Sequence, residues 1–336
     1  MNILVIGGAG FIGCNIANYY LSKGDKVTVF DNLSRAGTAK NLEWLAGNSP
    51  QLQFVHGDIR GDLYKLQKAV DKANVVFHTA AQVAASTSME DPVEDFSVNA
   101  LGTLNILEAI RKSDSNPVLI YTSTNKVYGQ LESVPAVERE TRYEFDDHPN
   151  GIAEDYPLDF HAPYGCSKGA GDQYVRDYAR IYGVHSVVFR QSCIYGERQF
   201  GNEDQGWVAW FIIAALQGRP ITIYGDGKQV RDCLYVGDLI QAFELAINNI
   251  DKAQGQIYNI GGGPKNTTSL LELLADLEKR FEKKIPVKYD AWRLGDQKVY
   301  VSDISKVKKE LGWWPKTDLP TGLDRLSRWV QRELMA

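Results

Sequence analysis

The sequence predicts an α/β protein: a doubly wound parallel sheet followed by a smaller mixed α/β portion. Three observations carry this. Short apolar runs alternate with helical stretches through the first half of the chain. A glycine triplet closes the first of these runs, and after Arg190 the alternation gives way to a mixed pattern of short strands and helices. Repeated strand–helix–strand units imply parallel strands with both faces covered.

The first element is the buried strand Ile3 to Ile6, followed by glycines at Gly7, Gly10 and Gly13 and a helical pattern from Phe11 to about Leu21. Gly7 permits a tight turn, Gly10 a close approach by phosphates, and Gly13 close packing of helix on strand. The spacing is G-x-x-G-x-x-G rather than G-x-G-x-x-G. A second strand, Lys26 to Phe30, ends in Asp31, where a dinucleotide-binding fold places its ribose-binding acid. The pattern is Rossmann-type, and the cofactor it fits is NAD, because the Asp31 carboxylate accepts from a ribose 2′-OH and repels a 2′-phosphate. Phe11, Ile12, Asn32, Ser34 and Arg35 flank these positions and belong to the expected cofactor set.

Further strands read at Leu52 to Val55, Val75 to His78 and Val118 to Tyr121, with helices near Leu63 to Lys72 and Val93 to Lys112. Their ends supply Asp58 and Ile59, then Ala80, Ala81 and Gln82, then Thr122, all expected at the cofactor crevice. Asp58 reads equally as a helix cap, and Asn99 as either a cofactor contact or a helix-packing amide. Leu131 to Pro163 is an acidic, aromatic loop excursion with four prolines. A helix from Tyr164 to Tyr182 and a strand from Ser186 to Arg190 follow, with Gln191 at the crevice. Beyond lie a polar loop (Gly201 to Gly206), a helix (Trp207 to Leu216), strands at Ile221 to Tyr224, Cys233 to Val236 and Ile257 to Ile260, and helices at Leu239 to Asn248 and Ser269 to Phe281. The expected division is a cofactor domain at 1–190, with crossings back into it, and a mainly substrate-binding domain at 191–336.

Bulk properties narrow the function. The chain has 336 residues, 44% hydrophobic and 24% charged, as in ordinary globular proteins. A net charge of −5 gives no electrostatic case for nucleic acid or an anionic membrane. No apolar run approaches a transmembrane length, and no basic segment precedes the first strand, so a cytoplasmic protein is expected. Four separated cysteines read as buried reduced thiols; with five scattered histidines, no metal site is expected.

Tyr164 and Lys168 are four residues apart, on one face of a helix. A free phenol is a poor base at neutral pH, and a neighbouring ammonium favours its ionised form. Tyr164 is thus suited to take a hydroxyl proton while hydride leaves the same carbon. The run Tyr121-Thr122-Ser123-Thr124 ends a strand, so its hydroxyls sit at the crevice and can relay that proton. Tyr-x-x-x-Lys alone is a common solvated pairing, and a hydroxyl run alone is turn chemistry.

Together these motifs resemble the extended short-chain dehydrogenase/reductases, more narrowly the NAD-dependent nucleotide-sugar epimerases and dehydratases. The resemblance runs from Gly7–Gly13 through Val127-Tyr128-Gly129 and Tyr164–Lys168 to Arg293-Leu294-Gly295-Asp296 and Leu311-Gly312-Trp313. It implies Thr124, Tyr164 and Lys168 as catalytic residues, and Arg231 and Arg293 as grips on a nucleotide diphosphate, their plainer reading being surface ion pairs. Asn125, Lys126, Gln205 and Tyr224 complete the expected substrate set; Tyr224 reads equally as an ordinary strand aromatic. Dehydratases of this kind carry Thr-Asp-Glu where this chain has Thr124-Asn125-Lys126, so elimination is disfavoured. Cys193 stands where many members have Asn. Ser-Thr-Asn-Lys-Val-Tyr-Gly with Tyr-Gly-x-Arg-Gln-Phe is similar to the CDP-tyvelose (CDP-paratose) 2-epimerases. That implies inversion at C2 of a CDP-hexose by transient oxidation with NAD held throughout, in a homodimer or homotetramer. The alternatives are a UDP-hexose 4-epimerase with the same triad, a net reductase consuming NADPH, and a non-catalytic dinucleotide-binding scaffold.

Overall fold

Seven strands read as apolar runs because both of their faces are covered. In the computed structural model, which describes residues 1–334, they are β1 (Asn2–Ile6), β2 (Lys26–Asp31), β3 (Gln53–His56), β4 (Val75–His78), β5 (Val118–Thr124), β6 (Ser186–Gln191) and β7 (Ile257–Ile260). All pair in parallel, in the order β3-β2-β1-β4-β5-β6-β7. Alternate residues serve opposite cores: Ile3, Val5 and Val29 pack on one side, Leu4, Ile6 and Phe30 on the other.

The chain runs outward from β1 to β3, then returns to the other side of β1 with β4. Strand order therefore reverses between β1 and β4, and the carboxyl ends there splay into a crevice. The glycine turn lies at that point. Gly7 has φ +79°, and a Cβ on it would meet Ala80 N at 2.4 Å; one on Gly13 would meet Gly7 O at 2.2 Å. Both positions exclude any larger residue.

Beyond β6 the chain builds a second layer around Val230–Tyr235, which pairs with Cys193–Tyr195, Thr267–Ser269 and Val299–Tyr300. This strand begins three residues before the expected Cys233, because Arg231 and Asp232 interrupt the apolar run yet pair with Thr268 and Thr267. Ile221–Tyr224 pairs with Val287–Asp290, and β7 returns from this half of the sequence to the edge of the large sheet.

Other expectations need correction. The stretch from Val93 to Lys112 is not one helix but Pro92–Phe96, a wide π turn Ser97–Leu101, and Gly102–Arg111. There the Thr103 hydroxyl donates to the Asn99 carbonyl, loosening the ladder. The excursion from Leu131 contains a small hairpin, Ala136–Glu138 with Tyr143–Phe145, and a core patch around Val127, Ile152 and Tyr300. Helices Thr38–Asn48 and Leu319–Leu334 had no counterpart in the sequence reading. Cys14 and Cys233 are buried, but Cys166 is exposed and Cys193 half-buried. Among the described residues no helix is long and apolar enough to cross a membrane.

Candidate active site

Helix Ala162–Tyr182 lies against β5, and every fourth residue of one stripe reaches that strand's carboxyl end. Lys168 Nζ donates to the Thr122 carbonyl at 2.6 Å and sits 4.4 Å above the Tyr121 ring. Asp172, one turn further, accepts from Ser123 Oγ at 2.8 Å. One turn earlier, the Tyr164 phenol lies close enough to Thr124 for that hydroxyl to lower its pKa. Three turns of helix thus meet three consecutive strand residues.

Each contact has an electrostatic consequence. Burial pulls the Lys168 ammonium down to about 7, against the opposing pull of Asp172 and Asp95. Burial pushes the Tyr164 phenol up, while the Thr124 hydroxyl and the charge of Arg35 oppose this. The sequence reading gave that opposing role to Lys168, but its Nζ is turned to the Thr122 carbonyl instead. Asp172 is fully buried and held by Arg190 through two hydrogen bonds of 2.9 and 3.0 Å. Arg190 also donates to Tyr128, whose hydroxyl donates to Asn259 on β7.

The crevice floor is lined by Gly7, Gly10, Phe11, Ile12, Gly13, Asp31, Asn32, Ser34, Arg35, Asp58, Ile59, Ala80, Ala81 and Gln82, together with Gln205. Helix Phe11–Ser22 starts there with no side-chain cap, so its first-turn N–H groups remain for an anion. Asp31 accepts from Ala9 N at 3.0 Å and Leu33 N at 2.8 Å, tying the glycine turn to β2. Gln191 is the register partner of Thr124, and its buried Nε2 has no protein partner. An uncapped helix start, a floor closed to any Cβ and an orphaned amide donor beside the triad all fit NAD.

Other residues depart from their expected settings. Asp58 is occupied by Arg60 and Asn32, and the Arg60 hydrogen bonds hold its carboxyl well below the usual range. Asn99 does not line the crevice. Its amide bridges Gln82, Asp95 and Ser167, the packing role among its two readings. Thr122 turns its hydroxyl away, to the His78 carbonyl. Gln205 lines the cofactor crevice and accepts from Arg35 there.

The opposite wall carries the cations. Lys126 Nζ donates to Gly295 O at 3.2 Å and lies 3.5 Å from Asp296. Arg231 pairs with the same carboxylate at 2.5 Å. Arg293 stacks 4.0 Å from the Tyr224 ring centre and donates to Glu203 O. Asn125 donates to Gln297, which is fully buried and donates to Gly129 O at 2.6 Å. Asp172, Asp95 and Gln297 were missed from sequence; only Asp172 had a signal, one more step of the period that joins Tyr164 to Lys168.

The sequence profile of the NAD dependent epimerase/dehydratase family matches residues 3–261. This chain belongs to that family. As an epimerase/dehydratase it is 46% identical over 98% of its length to a CDP-paratose 2-epimerase from Salmonella typhi, covering 99% of that protein. Its fold is similar to that of a UDP-glucose 4-epimerase from Thermotoga maritima, solved with UDP-glucose (TM-score 0.85, 32% identity, 99% of this chain and 100% of that one). It is also similar to a UDP-glucuronic acid 4-epimerase from Bacillus cereus, solved with UDP-glucuronic acid and NAD (TM-score 0.84, 29% identity, 99% of each chain).

The Lys168 geometry yields a test on this epimerase/dehydratase. Its folded pKa, about 7, lies below the ordinary 10.5, so between those values the unfolded chain binds the extra proton. Lys168 therefore subtracts stability below pH 7 and ceases to do so as pH rises to 10.5. Lys168→Met should raise Tm at pH about 6 while turnover falls by about 10²–10⁴. The gain in Tm should vanish at high pH. Scanning calorimetry across pH checks this, and a Tm lowered in the acid range would contradict it.

Proposed function

We propose that this protein is a CDP-hexose 2-epimerase, interconverting the two C2 alcohols of a substrate such as CDP-paratose. The observation that carries this is the end of β5. Elimination needs a carboxylic acid beside Thr124; here Asn125 is bonded to Gln297, and Lys126 to Gly295 and Asp296. A redox triad without an elimination acid supports epimerisation. The likeness to the Salmonella typhi enzyme supports C2 and the cytidine nucleotide.

NAD, when bound, would supply reversible hydride chemistry at the sugar carbon. The remaining work belongs to the chain. Gly7, Gly10 and Gly13 open the crevice floor to the diphosphate of the cofactor, and Asp31 meets its ribose. The Tyr164 phenol oxygen takes the C2 hydroxyl proton and later gives it back. Thr124 Oγ hydrogen-bonds the reacting oxygen and orients the phenol. Lys168, held on the Thr122 carbonyl, keeps a cation at the end of β5 one helical turn from Tyr164. Lys126, Arg231 and Arg293 grip the substrate diphosphate, while Tyr224 and Arg293 form a stacked edge for the base. Positioning C2 at the triad is the main source of rate.

The same triad serves inversion at C4, the second reading, favoured by the fold likeness to the 4-epimerase with UDP-glucose. NMR of reactions with CDP-paratose, CDP-glucose and UDP-glucose separates the two. Inversion at C2 of a CDP-sugar is expected; inversion only at C4 of UDP-glucose would transfer the protein to the second reading. Tyr164→Phe should abolish turnover and leave NAD bound, read by cofactor absorbance after denaturation; an active variant would contradict the assigned base.

The assembly we propose is a homo-oligomer, built on the apolar side chains that Met89, Val93, Phe96 and Leu101 expose beside Tyr174, Ile181 and Tyr182. Light scattering should give a dimer or a multiple of it, and Val93→Glu with Phe96→Glu should give a monomer. A wild-type monomer would refute the assignment.

A further inference from the structure

Two of the four cysteines are neighbours across a strand pair beside the substrate wall. Strand Cys193–Tyr195 runs parallel to Val230–Tyr235, and Cys193 is the register partner of Cys233. Paired strands lie about 4.8 Å apart, inside the roughly 4.4–6.8 Å Cα separation that a disulfide spans. Register partners also point to the same face of a sheet, and each thiol perturbs the titration of the other. Both backbones are held: Ser192 Oγ donates to the Asp232 carbonyl at 3.0 Å, and Cys233 N donates to Asn266 O at 2.8 Å. The register therefore sets the two side chains within bridging range.

The two sulfurs differ in setting. Cys193 is half-buried, whereas Cys233 is only 2% exposed. Cys193 Sγ accepts the Trp207 indole N–H at 3.0 Å. The Cys233 contact, this indole and the charge of Arg231 hold the Cys193 thiol below its ordinary value, while the Cys193 contact and burial push Cys233 up. Lys126 lies within electrostatic reach of the same sulfur. Cys193 is thus the thiolate-forming, reachable member and Cys233 the enclosed resolving one.

We propose that Cys193 and Cys233 form an oxidisable dithiol whose closure to a disulfide disables the substrate wall of the active site. The oxidant class is a peroxide. The Cys193 thiolate attacks a peroxide oxygen, giving a sulfenic acid and, for hydrogen peroxide, one water after proton uptake. Cys233 sulfur then attacks the sulfenic sulfur, forming the S–S bond and expelling the second water. Two thiols lose two electrons and two protons; one peroxide becomes two waters. The bond draws Cys193 from the Trp207 N–H and fixes the strand that carries Arg231 two residues before Cys233. The displaced Cys193–Trp207 contact and a cross-link two residues from Arg231 weaken nucleotide-sugar binding, while the NAD crevice, whose lining includes neither cysteine, is untouched.

The activity part of this inference rests on the epimerase reading; the chemistry does not. Purified full-length protein is treated with hydrogen peroxide, alkylated, and digested with trypsin without reduction. Peptide 191–198 should be found joined to peptide 232–252, and dithiothreitol should release them. Across a peroxide series, turnover should fall in step with the joined fraction, KM for the nucleotide sugar should rise in partly oxidised samples, bound NAD should stay constant, and dithiothreitol should restore activity. Cys233→Ser should form no joined pair and show no dithiothreitol-reversible loss. Full alkylation of Cys193 after peroxide, with no joined pair, would overturn the proposal. So would a joined pair that leaves turnover unchanged, or a reversible loss persisting in Cys233→Ser. Because the peptide readout needs no substrate, failure of the epimerase reading would show separately as absent turnover before any oxidation.

Discussion

A buried ammonium on a single backbone carbonyl, Lys168 on Thr122, is the interaction around which the active site is arranged. A charge taken out of water is costly unless neighbours compensate it. Here the compensation is spread over the fold: Asp172 and Asp95 supply opposite charge, and the Tyr121 ring lies beneath the ammonium. Asp172 is itself fixed by Arg190, which reaches Tyr128 and through it Asn259 on the returning strand β7. The strand contributed by the second half of the sequence thus helps to hold a lysine contributed by the first. The arrangement sacrifices stability to keep a titratable cation near neutrality at the strand end, a trade usual at working sites.

On the opposite wall the logic is reversed. Asn125 and Lys126, which follow Thr124 at the end of β5, are not idle. One locks the buried Gln297, and the other anchors the segment carrying Asp296 and Arg293. Both residues position the loop that carries Arg293. Two carboxylates at these positions would set like charges against Asp296, so the loop's position depends on the residues the strand end carries.

Much of the fold was legible because its signals are local. Glycines that exclude any Cβ, and apolar strands bounded by turns, announce themselves in sequence. What escaped were features made by tertiary contact. Asp58 lines the crevice, but its pairing with Arg60, two residues away, carries no periodic signal. Asn99 sits at a helix break that depends on Gln82 and Ser167, distant in sequence. The hairpin strands Ala136–Glu138 and Tyr143–Phe145 are too short for a period to register. Arg231 and Asp232 mask the start of a central strand because polar residues there pair with other strands rather than face solvent.

In the proposed reaction, C2 inverts by loss and return of the same hydrogen within one bound complex. It is tested most directly with CDP-paratose carrying deuterium at C2, incubated with the NAD-loaded protein in ordinary water. The account predicts CDP-tyvelose with deuterium still at C2 and none released to solvent. Inverted product in which C2 has acquired a solvent proton would contradict it, since that outcome requires removal of C2 hydrogen as a proton rather than a hydride.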